Sequence, residues 1–598
     1  MALNRALRRA RQWARLTTQL SVTALLASCA PPHAPPVLDA PRAVAVDGER
    51  IRVLALSPGV TATIVAPDRL DARRPVEVIL YALPNGNSTA ETMGRLMGDS
   101  VGWRYDIQHI GAQTRALRVR GLSQAVVVYL EAETKSWPAW RSRMGYARAN
   151  RRLVELIEQV RVEVGRPTEQ AVTLAGHSGG GSLMFGFIEA QDAIPDWISR
   201  IVFLDANYNF TAAHGDKLVA WLQRDARHVL GVLAYDDREI TLDGKKVVSD
   251  SGGTWRATGR MIVHLGRTLT LIRDTLAGFE RLRAPQVELL RHPNPENRIL
   301  HTSMIGDMNG YMHALLVGRP SYAQGAPVLG PPRAYVPFIR AAPTLPEATP
   351  PAIPPRALGA PTGSAFIASV AGLPREAREA AVRRELMAGN IPVFLRTLRS
   401  VTVRAAGPDG VPHTVTYAVM PDYLAIGSDD DFVRMPMDPY TAQTFCDAFG
   451  FVLPTRKMVN DIWTAATVRV EPRPLVQDRD SARTFLQHHR LIEEQLAGQG
   501  RGALVAGMKK DVVVTNRLQE RANRVAIYGW HYVRGEPIQP LYTGHVDWYV
   551  DYSHGIRPVR RWMQVDGTTR TYEAILNDPQ LATLLSDEGV ILAPRYER

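Results

Sequence analysis

The stretch VTLAGHSGGG at residues 172–181 decides how the first half of this chain folds. It begins with a short apolar run, typical of a buried strand, and ends in three glycines that open a helical pattern. Ser178 lies between Gly176 and Gly180 in the arrangement G-x-S-x-G. A sharp strand-to-helix turn needs glycine on both sides of the serine, because side chains there would collide with neighbouring elements. Such a turn presents the hydroxyl at the carboxyl edge of a sheet, above a helix N-terminus that favours an anion.

Apolar runs on both sides of this stretch predict further strands. They lie at residues 76–83 (VEVILYAL), 125–130, 200–204 and 228–234, and helical patterns separate them. In residues 151–165 apolar side chains recur every three or four positions, which predicts a helix that ends at a glycine. Strands that are apolar throughout and alternate with helices are typical of a mostly parallel sheet with helices on both faces. The predicted fold class of this half is therefore α/β.

The chain of 598 residues is too long for one ordinary domain. Residues 320–362 contain twelve of its 42 prolines, which predicts an extended linker. This gives a first domain at 45–319 and a second at 363–598, where mixed helical and strand patterns predict an α+β fold.

The composition excludes several classes of protein. Hydrophobic residues make up 45% and charged residues 22%, which is typical of globular chains and not of disordered ones. The net charge is +12, but five arginines lie in the first fifteen residues, so the rest of the chain is only mildly basic. No run of basic residues with interleaved aromatics follows, and we expect no nucleic-acid partner.

The N-terminus predicts export. Five arginines precede a mostly uncharged stretch at residues 16–27, which is too short to span a bilayer. The stretch ends in Leu26-Ala27-Ser28-Cys29, which resembles the lipobox of bacterial lipoproteins. The resemblance implies that residues 1–28 are a signal peptide, that Cys29 is lipidated and that residues 29–44 are a tether. The expected location is the cell envelope. The lipid is expected to anchor the chain to a bacterial membrane, at the periplasmic side of the outer membrane.

The strand–turn–helix context of Ser178 resembles the α/β-hydrolase family, over about residues 76–317. The resemblance implies that Ser178 is the nucleophile and that the amide of Gly179 gives one donor of an oxyanion hole. The second donor is expected in the turn Pro-Asn-Gly-Asn after the first predicted parallel strand, at Asn85, Gly86 or Asn87.

The same resemblance implies a histidine base late in the domain. His313 follows the turn Asn309-Gly310 and opens an apolar segment, so we predict it as the base. His301 is interpreted as part of a strand. His177, next to the serine, is expected to point away from it.

The acid of the triad stays open between two aspartates. Asp237 follows the predicted strand 228–234, where the family usually carries its acid. Asp205 closes the preceding strand, where some lipases of the family carry theirs. The acid must orient the imidazole and stabilise its protonated form.

The second domain contains a dense polar cluster in GHVDWYVDYSHGIR, residues 544–557. His545, Asp551 and His554 are candidates for a second acid–base site. Their spacing matches no ligand pattern of a metal site, so no metal is expected. A hydrogen-bonded structural network or a face that binds a wall polymer is the alternative.

These features together predict a lipid-anchored serine hydrolase that needs no cofactor. The expected substrate is a small-molecule or polymeric acyl compound, and an esterase, an amidase and a peptidase would all use this triad. One alternative is an envelope-binding lipoprotein with an idle hydrolase fold. Another is a bifunctional enzyme with a second centre near residues 545–554.

Overall fold

The structure is a computed structural model that describes residues 44–597 apart from 47, 57–58, 72–73, 75, 99–100, 165–170, 243, 320–327, 342–344, 347, 350, 498 and 500. The predicted signal peptide, Cys29 and most of the tether therefore lie outside the described residues. Within the described part of the chain, no helix is both long enough and apolar enough to cross a membrane.

An eleven-stranded sheet forms the centre of the first unit. The strands of this unit are β1 (Val44–Val46), β2 (Glu49–Leu56), β3 (Val60–Pro67), β4 (Glu77–Ala82), β5 (Ala125–Ala132), β6 (Ala171–His177), β7 (Ile198–Leu204), β8 (Val229–Tyr235), β9 (Thr241–Leu242), β10 (Lys245–Lys246), β11 (Ile272–Leu276), β12 (Phe279–Ala284) and β13 (Val287–His292). The order across the sheet is β1-β2-β3-β5-β4-β6-β7-β8-β13-β12-β11, and β9 and β10 form a separate hairpin. In this spatial order, the six neighbouring strands β5, β4, β6, β7, β8 and β13 pair in parallel. The strands on either side of these six pair antiparallel.

Helices cover both faces of this sheet. They are α1 (Thr89–Met93), α2 (Ile110–Val119), α3 (Trp137–Met144), α4 (Tyr146–Glu163), α5 (Gly180–Ala190), α6 (Ala212–Arg224), α7 (Thr254–Leu265) and α8 (Gly310–Leu316), with a 3-10 turn at Trp103–Asp106. Successive residues of a strand point to opposite faces. Accordingly, Leu80 of β4 belongs to one buried core and its neighbour Tyr81 to the other. The predicted mixed α/β architecture with a mostly parallel sheet is confirmed.

The second unit has a separate core, built from residues 366–596. Its strands are β14 (Arg399–Ala406), β15 (Pro412–Val419), β16 (Ala425–Gly427), β17 (Phe432–Arg434), β18 (Phe451–Val452), β19 (Val468–Arg469), β20 (Val505–Ala506), β21 (Lys510–Val513), β22 (Ala526–His531), β23 (Pro537–Tyr542), β24 (His554–Gly555), β25 (Val559–Arg560), β26 (Trp562–Val565) and β27 (Thr568–Thr571). Its helices are α9 (Gly363–Val370), α10 (Arg375–Met387), α11 (Pro439–Phe449), α12 (Arg456–Ala465), α13 (Ala482–Leu496), α14 (Arg517–Glu520) and α15 (Tyr572–Leu576), with 3-10 turns at Val393–Arg396 and Ala582–Leu584. The sheets are small and mostly antiparallel.

The earlier described part of the proline-rich segment packs against the first unit. Tyr335, next to the 3-10 turn Val336–Phe338, is fully buried in a core of the first unit. Arg333 forms ion pairs with Asp106 and Asp307. Thr349 forms a parallel bridge with Leu54 of β2. Apolar and charged side chains between the prolines thus give contacts that the composition alone did not predict.

Candidate active site

Ser178 occupies a strained turn between β6 and α5. Its φ of 53° lies in the left-handed region, which a residue with a side chain seldom adopts. The Ser178 N–H donates to the carbonyl of Leu204, at the end of the neighbouring strand β7, over 3.3 Å. The Ser178 hydroxyl forms no hydrogen bond with any described residue. The turn therefore presents an unengaged hydroxyl at the carboxyl edge of the parallel strands.

Two glycines allow helix α5 to start directly under this turn. A Cβ atom at Gly180 would lie 2.3 Å from the carbonyl oxygen of Ala82, at the end of β4. A Cβ atom at Gly181 would lie 1.7 Å from the carbonyl oxygen of Ala206. Both distances are far below van der Waals contact, so the approach of the helix to the sheet edge depends on glycine at these positions.

The turn after β4 lies beside the start of α5. The side chain of Asn85 occupies the space that a Cβ atom at Gly179 would need, with Oδ1 2.0 Å from that position. The N–H groups of Gly179 and Asn85 donate to no described residue, so both remain available. The N–H of Gly86 instead donates to the carbonyl of Lys135 over 2.7 Å, which removes Gly86 from the predicted donors. Asn87 is buried, and its Nδ2 has no partner among the described residues.

The structure brings His301 to this turn. His301 Nδ1 donates to Asp205 Oδ2 over 2.5 Å. The His301 ring packs against the ring of His177, which directly precedes Ser178, with 4.5 Å between ring centroids. His177 Nε2 also donates to the carbonyl of His301 over 3.0 Å. These contacts fix the imidazole beside the turn, and its Nε2 forms no hydrogen bond with a described residue.

Asp205 is fixed in place by several hydrogen bonds. It is the first residue after β7, has a φ of 47° and is completely buried. Its N–H donates to the carbonyl of Leu233 over 2.8 Å, and the hydroxyl of Thr254 donates to its Oδ1. A buried carboxylate with such donors can hold an imidazole in one tautomer and one orientation.

Asp237, the other candidate acid, accepts a hydrogen bond from Thr254, the same residue that donates to Asp205. Its Oδ2 accepts the N–H of Thr254, at the start of α7, over 2.8 Å, and its Oδ1 has no partner among the described residues. Burial, together with the nearby charge of Asp205, raises the pKa of Asp237 to about 6. The structure thus joins Asp205, and not Asp237, to a histidine.

His313 does not reach the turn, and this corrects the sequence-based choice of base. It lies within α8, its side chain is fully buried, and its Nε2 donates to Glu288 Oε2 over 2.7 Å. Glu288 is the second residue of β13, near the amino end of that strand. The sheet presents Ser178 at the opposite, carboxyl end. Helix α8 therefore carries His313 away from the candidate site.

The interpretation of His301 as a strand residue is also wrong. The last parallel strand, β13, ends at His292, and His301 begins a series of turns before α8. The presence of Pro293, Asn294, Pro295 and Asn297 after the apolar run was a signal for this boundary, because these residues favour turns. The first histidine after such a loop would then have been the better candidate.

His177 is a buried neighbour of the site. Its Nδ1 lies 3.3 Å from Gln108 Oε1. Burial, and then the proximity of His301, lowers the pKa of His177 well below its ordinary value. It is therefore neutral near pH 7 and supports the His301 ring through packing and one hydrogen bond.

The candidates in the second unit lie near one another. The rings of His545 and His554 are 6.4 Å apart between centroids, and His554 Nε2 lies 3.9 Å from Asp551 Oδ1. Arg479 Nη2 pairs with Asp551 Oδ2 over 2.8 Å. This cluster belongs to the second core and is separate from Ser178.

Comparisons with known proteins give structural similarities only for part of the chain. No protein-family model matches it, and a search of curated proteins gives no match. A siderophore hydrolase from Aspergillus nidulans is 12% identical, with 48% of this chain and 99% of that chain covered and a TM-score of 0.26. An esterase from Thermogutta terrifontis is 9% identical, with 37% and 78% covered and a TM-score of 0.22. A bacterial brefeldin A esterase is 14% identical, with a TM-score of 0.16; 27% of this chain is covered, and the match spans only 42% of the esterase.

Proposed function

We propose that the first unit is a serine hydrolase of the α/β-hydrolase class that cleaves carboxylic esters. The observation that carries the proposal is the pair of Asp205 and His301, joined over 2.5 Å and packed against the residue before Ser178. A strained serine, a histidine with one free nitrogen and a buried carboxylate are the three components of a nucleophilic triad. The strand order β3-β5-β4-β6-β7-β8-β13, with the serine after β6, supports the same class.

In the proposed mechanism His301 Nε2 takes the proton of the Ser178 hydroxyl while the oxygen attacks the ester carbonyl. Asp205 accepts a hydrogen bond from Nδ1, which keeps the other nitrogen unprotonated and stabilises the imidazolium that forms. His301 then gives the proton to the leaving alcohol. A water molecule, activated by the same imidazole, releases the acid from the acyl-enzyme.

We assign the stabilisation of the negative oxygen of the tetrahedral intermediate to the N–H of Gly179 and to the turn at Asn85. The N–H of Gly179 starts helix α5, whose dipole favours an anion at that end. One such donor lowers the barrier by about 3–4 kcal/mol. Among the candidate second donors we prefer Asn85 to Gly86, because the N–H of Gly86 is already engaged.

A fluorophosphonate probe and an aryl acetate test this proposal on the full chain. We expect the probe to label the wild-type protein, and Ser178→Ala to lose both labelling and esterase turnover. Ser142→Ala, which changes an exposed serine of α3, is the matched control and should keep both. A folded wild-type protein that is neither labelled nor active would instead favour an idle hydrolase fold.

We further propose that the chain is a lipoprotein of the bacterial cell envelope, anchored through Cys29. The support is the sequence Leu26-Ala27-Ser28-Cys29 after a basic and then uncharged start. The anchor would hold the hydrolase at the membrane surface, where small-molecule or polymeric acyl substrates of the envelope are within its reach.

A further inference from the structure

The second unit places two lysines and a histidine beside one another in its interior. Strand β24 pairs in parallel with β21, and this register sets His554 opposite Lys510. Paired residues of neighbouring strands point to the same face of a sheet. Lys509, one position earlier, lies in the same neighbourhood, because its Nζ donates to the carbonyl of Tyr552 over 2.5 Å.

His554 has no hydrogen-bond partner among the described residues, although its side chain is fully buried. Both of its ring nitrogens lack a partner, and the nearest carboxylate oxygen, on Asp551, is 3.9 Å from Nε2. Leaving a buried polar group without a hydrogen bond is unfavourable, so such a group points to a ligand or to solvent. Burial is also the main reason that the pKa of His554 is lowered, to about 4.

The carboxylate next to His554, on Asp551, already has partners on both oxygens. Asp551 Oδ1 accepts hydrogen bonds from the N–H and the hydroxyl of Ser553, over 2.8 and 2.5 Å. Its Oδ2 pairs with Arg479 over 2.8 Å. Both oxygens of Asp551 therefore already have close partners, and this carboxylate forms no ion pair with either lysine.

Lys509 and Lys510 form no ion pair with any described carboxylate. Lys509 is 1% exposed, and among the described residues the only other hydrogen-bond partner of its Nζ is His488 Nδ1, at 3.5 Å. Lys510 is 8% exposed, and its Nζ lies 5.4 Å from the centre of the Trp530 ring. Burying positive charge without a counter-ion is costly. Accordingly, burial lowers the pKa of Lys509 to about 7 and also lowers that of Lys510.

The side of the cluster nearer to solvent is aromatic. The rings of His545 and Tyr549 stack with 4.4 Å between centroids, and Tyr549 meets the His554 ring edge-on at 5.9 Å. Both outer rings are half-buried. A ligand that reaches His554 from this side would pass aromatic surfaces and then meet positive charge.

No group of three or more metal-binding side chains occurs among the described residues.

We propose that this cluster is a second ligand-binding site, which takes an oxyanion group, a carboxylate or a phosphate, between Lys510 and His554. The anion gives Lys510 the direct ion-pair partner that no described carboxylate provides, and it accepts the N–H of the His554 ring. Oxyanions prefer charged donors of this kind. The site is independent of Ser178 and of the proposed hydrolase activity.

Histidine-selective NMR of the full chain tests the proposal. Phosphate or acetate is added at constant ionic strength, with chloride as the reference, and the His554 signals are assigned by their loss in His554→Gln. We expect those signals to move and to saturate with at least one of the two anions. The signals of His413, which bonds to Asp566 in another sheet of the same unit, serve as the internal control and should stay in place.

Lys510→Met is expected to weaken the binding of that anion at least tenfold. Lys245→Met, at an exposed lysine of β10 in the first unit, is the matched control and should bind as the wild type does. An unchanged His413 signal reports that the second unit of the variant is folded. Saturation by phosphate alone identifies a phosphate ligand, and saturation by acetate alone identifies a carboxylate.

Two results would overturn the proposal. The first is a wild-type protein whose His554 signals respond to neither anion, or respond equally to chloride. The second is a folded Lys510→Met variant with unchanged affinity. Neither result bears on esterase turnover by Ser178, so the two proposals fail separately.

Discussion

His301 and His313 are close in sequence, but they lie toward opposite ends of the parallel strands. His301 follows the carboxyl end of β13 and pairs with Asp205, whereas His313 bonds to Glu288 near the amino end of the same strand. A general base must lie within hydrogen-bond reach of the proton that it takes, directly or after a small rearrangement. Position along the strand, and not residue type, thus separates the candidate base from the structural histidine.

We expect His301→Ala to lower kcat for ester hydrolysis by about 10⁴-fold or more, because the loss of a triad member removes nucleophile activation. His313→Gln can keep a hydrogen bond to Glu288 and should change kcat less than tenfold. Steady-state kinetics with an aryl acetate, together with fluorophosphonate labelling, checks both variants. If His313→Gln were inactive and His301→Ala active, the assignment of the base would be reversed.

Asp237 gives a prediction for the dependence of stability on pH. Its folded pKa, about 6, lies above the value of about 4 for an unfolded aspartate. Between these values the unfolded chain has released the proton and the folded chain has not, so this group lowers stability as pH rises from about 4 to 6. We expect Asp237→Asn to remove this loss of stability with rising pH. Urea unfolding midpoints of the wild type and the variant at pH 4.5 and 7.5 measure the effect.

The comparison for Asp237 is Asp250→Asn, which changes an exposed aspartate of the same unit. The difference in stability between Asp237→Asn and the wild type should become more favourable to the variant at the higher pH. Equal differences at both pH values would contradict the raised pKa of Asp237.

At the scale of elements, the strand-to-helix turn at Ser178 is set by its glycines. Strands β4 to β8 could be predicted because each is a mostly apolar run, as expected of a strand that is buried on both faces. The antiparallel strands β1–β3 and β11–β12 were not predicted, although β3 (VTATIVAP) is rich in the β-branched residues that strands favour. His301 was interpreted as part of a strand, whereas β13 ends at His292, and this error led to the choice of His313 as the base.

Gly181→Ala tests the close approach of α5 to the sheet edge. Its Cβ atom would overlap the carbonyl oxygen of Ala206, so backbone would have to move. We expect the variant to lose at least about 2 kcal/mol of unfolding free energy, in the range of overpacked cores. Gly98→Ala, where a Cβ atom meets nothing within 4 Å, should stay within about 0.5 kcal/mol in the same urea titration. Equal effects of the two changes would contradict the packing described for the turn.

At the scale of the whole molecule, the chain combines two units with separate cores. The proline-rich segment packs against the first unit at Tyr335 and approaches the second, where Arg396 donates to the carbonyl of Pro354. Glu163 of α4 likewise accepts the N–H of Ala352. The segment therefore makes specific contacts with both units.

The proposed membrane attachment concerns the whole chain, and its two cysteines give a matched test. We expect the wild-type protein, expressed in a bacterium, to incorporate labelled palmitate and to sediment with membranes, since each buried acyl methylene contributes about 0.8 kcal/mol. Cys29→Ser should lose the label and leave the membrane fraction. Cys446→Ser changes the buried cysteine of α11 and should keep both. Label retained in Cys29→Ser would contradict the anchor.

Local patterns in the chain predict the mostly parallel α/β architecture, the turn at Ser178 and two candidates for the acid, because buried strands, glycine turns and strand ends each leave a short-range signal. The pairing of Asp205 with His301, the hydrogen bond of Gly86 and the position of Lys510 beside His554 follow from the folded arrangement of the chain. These relations join residues that are distant in the chain, since strand pairing and packing bring them together and no local spacing records them.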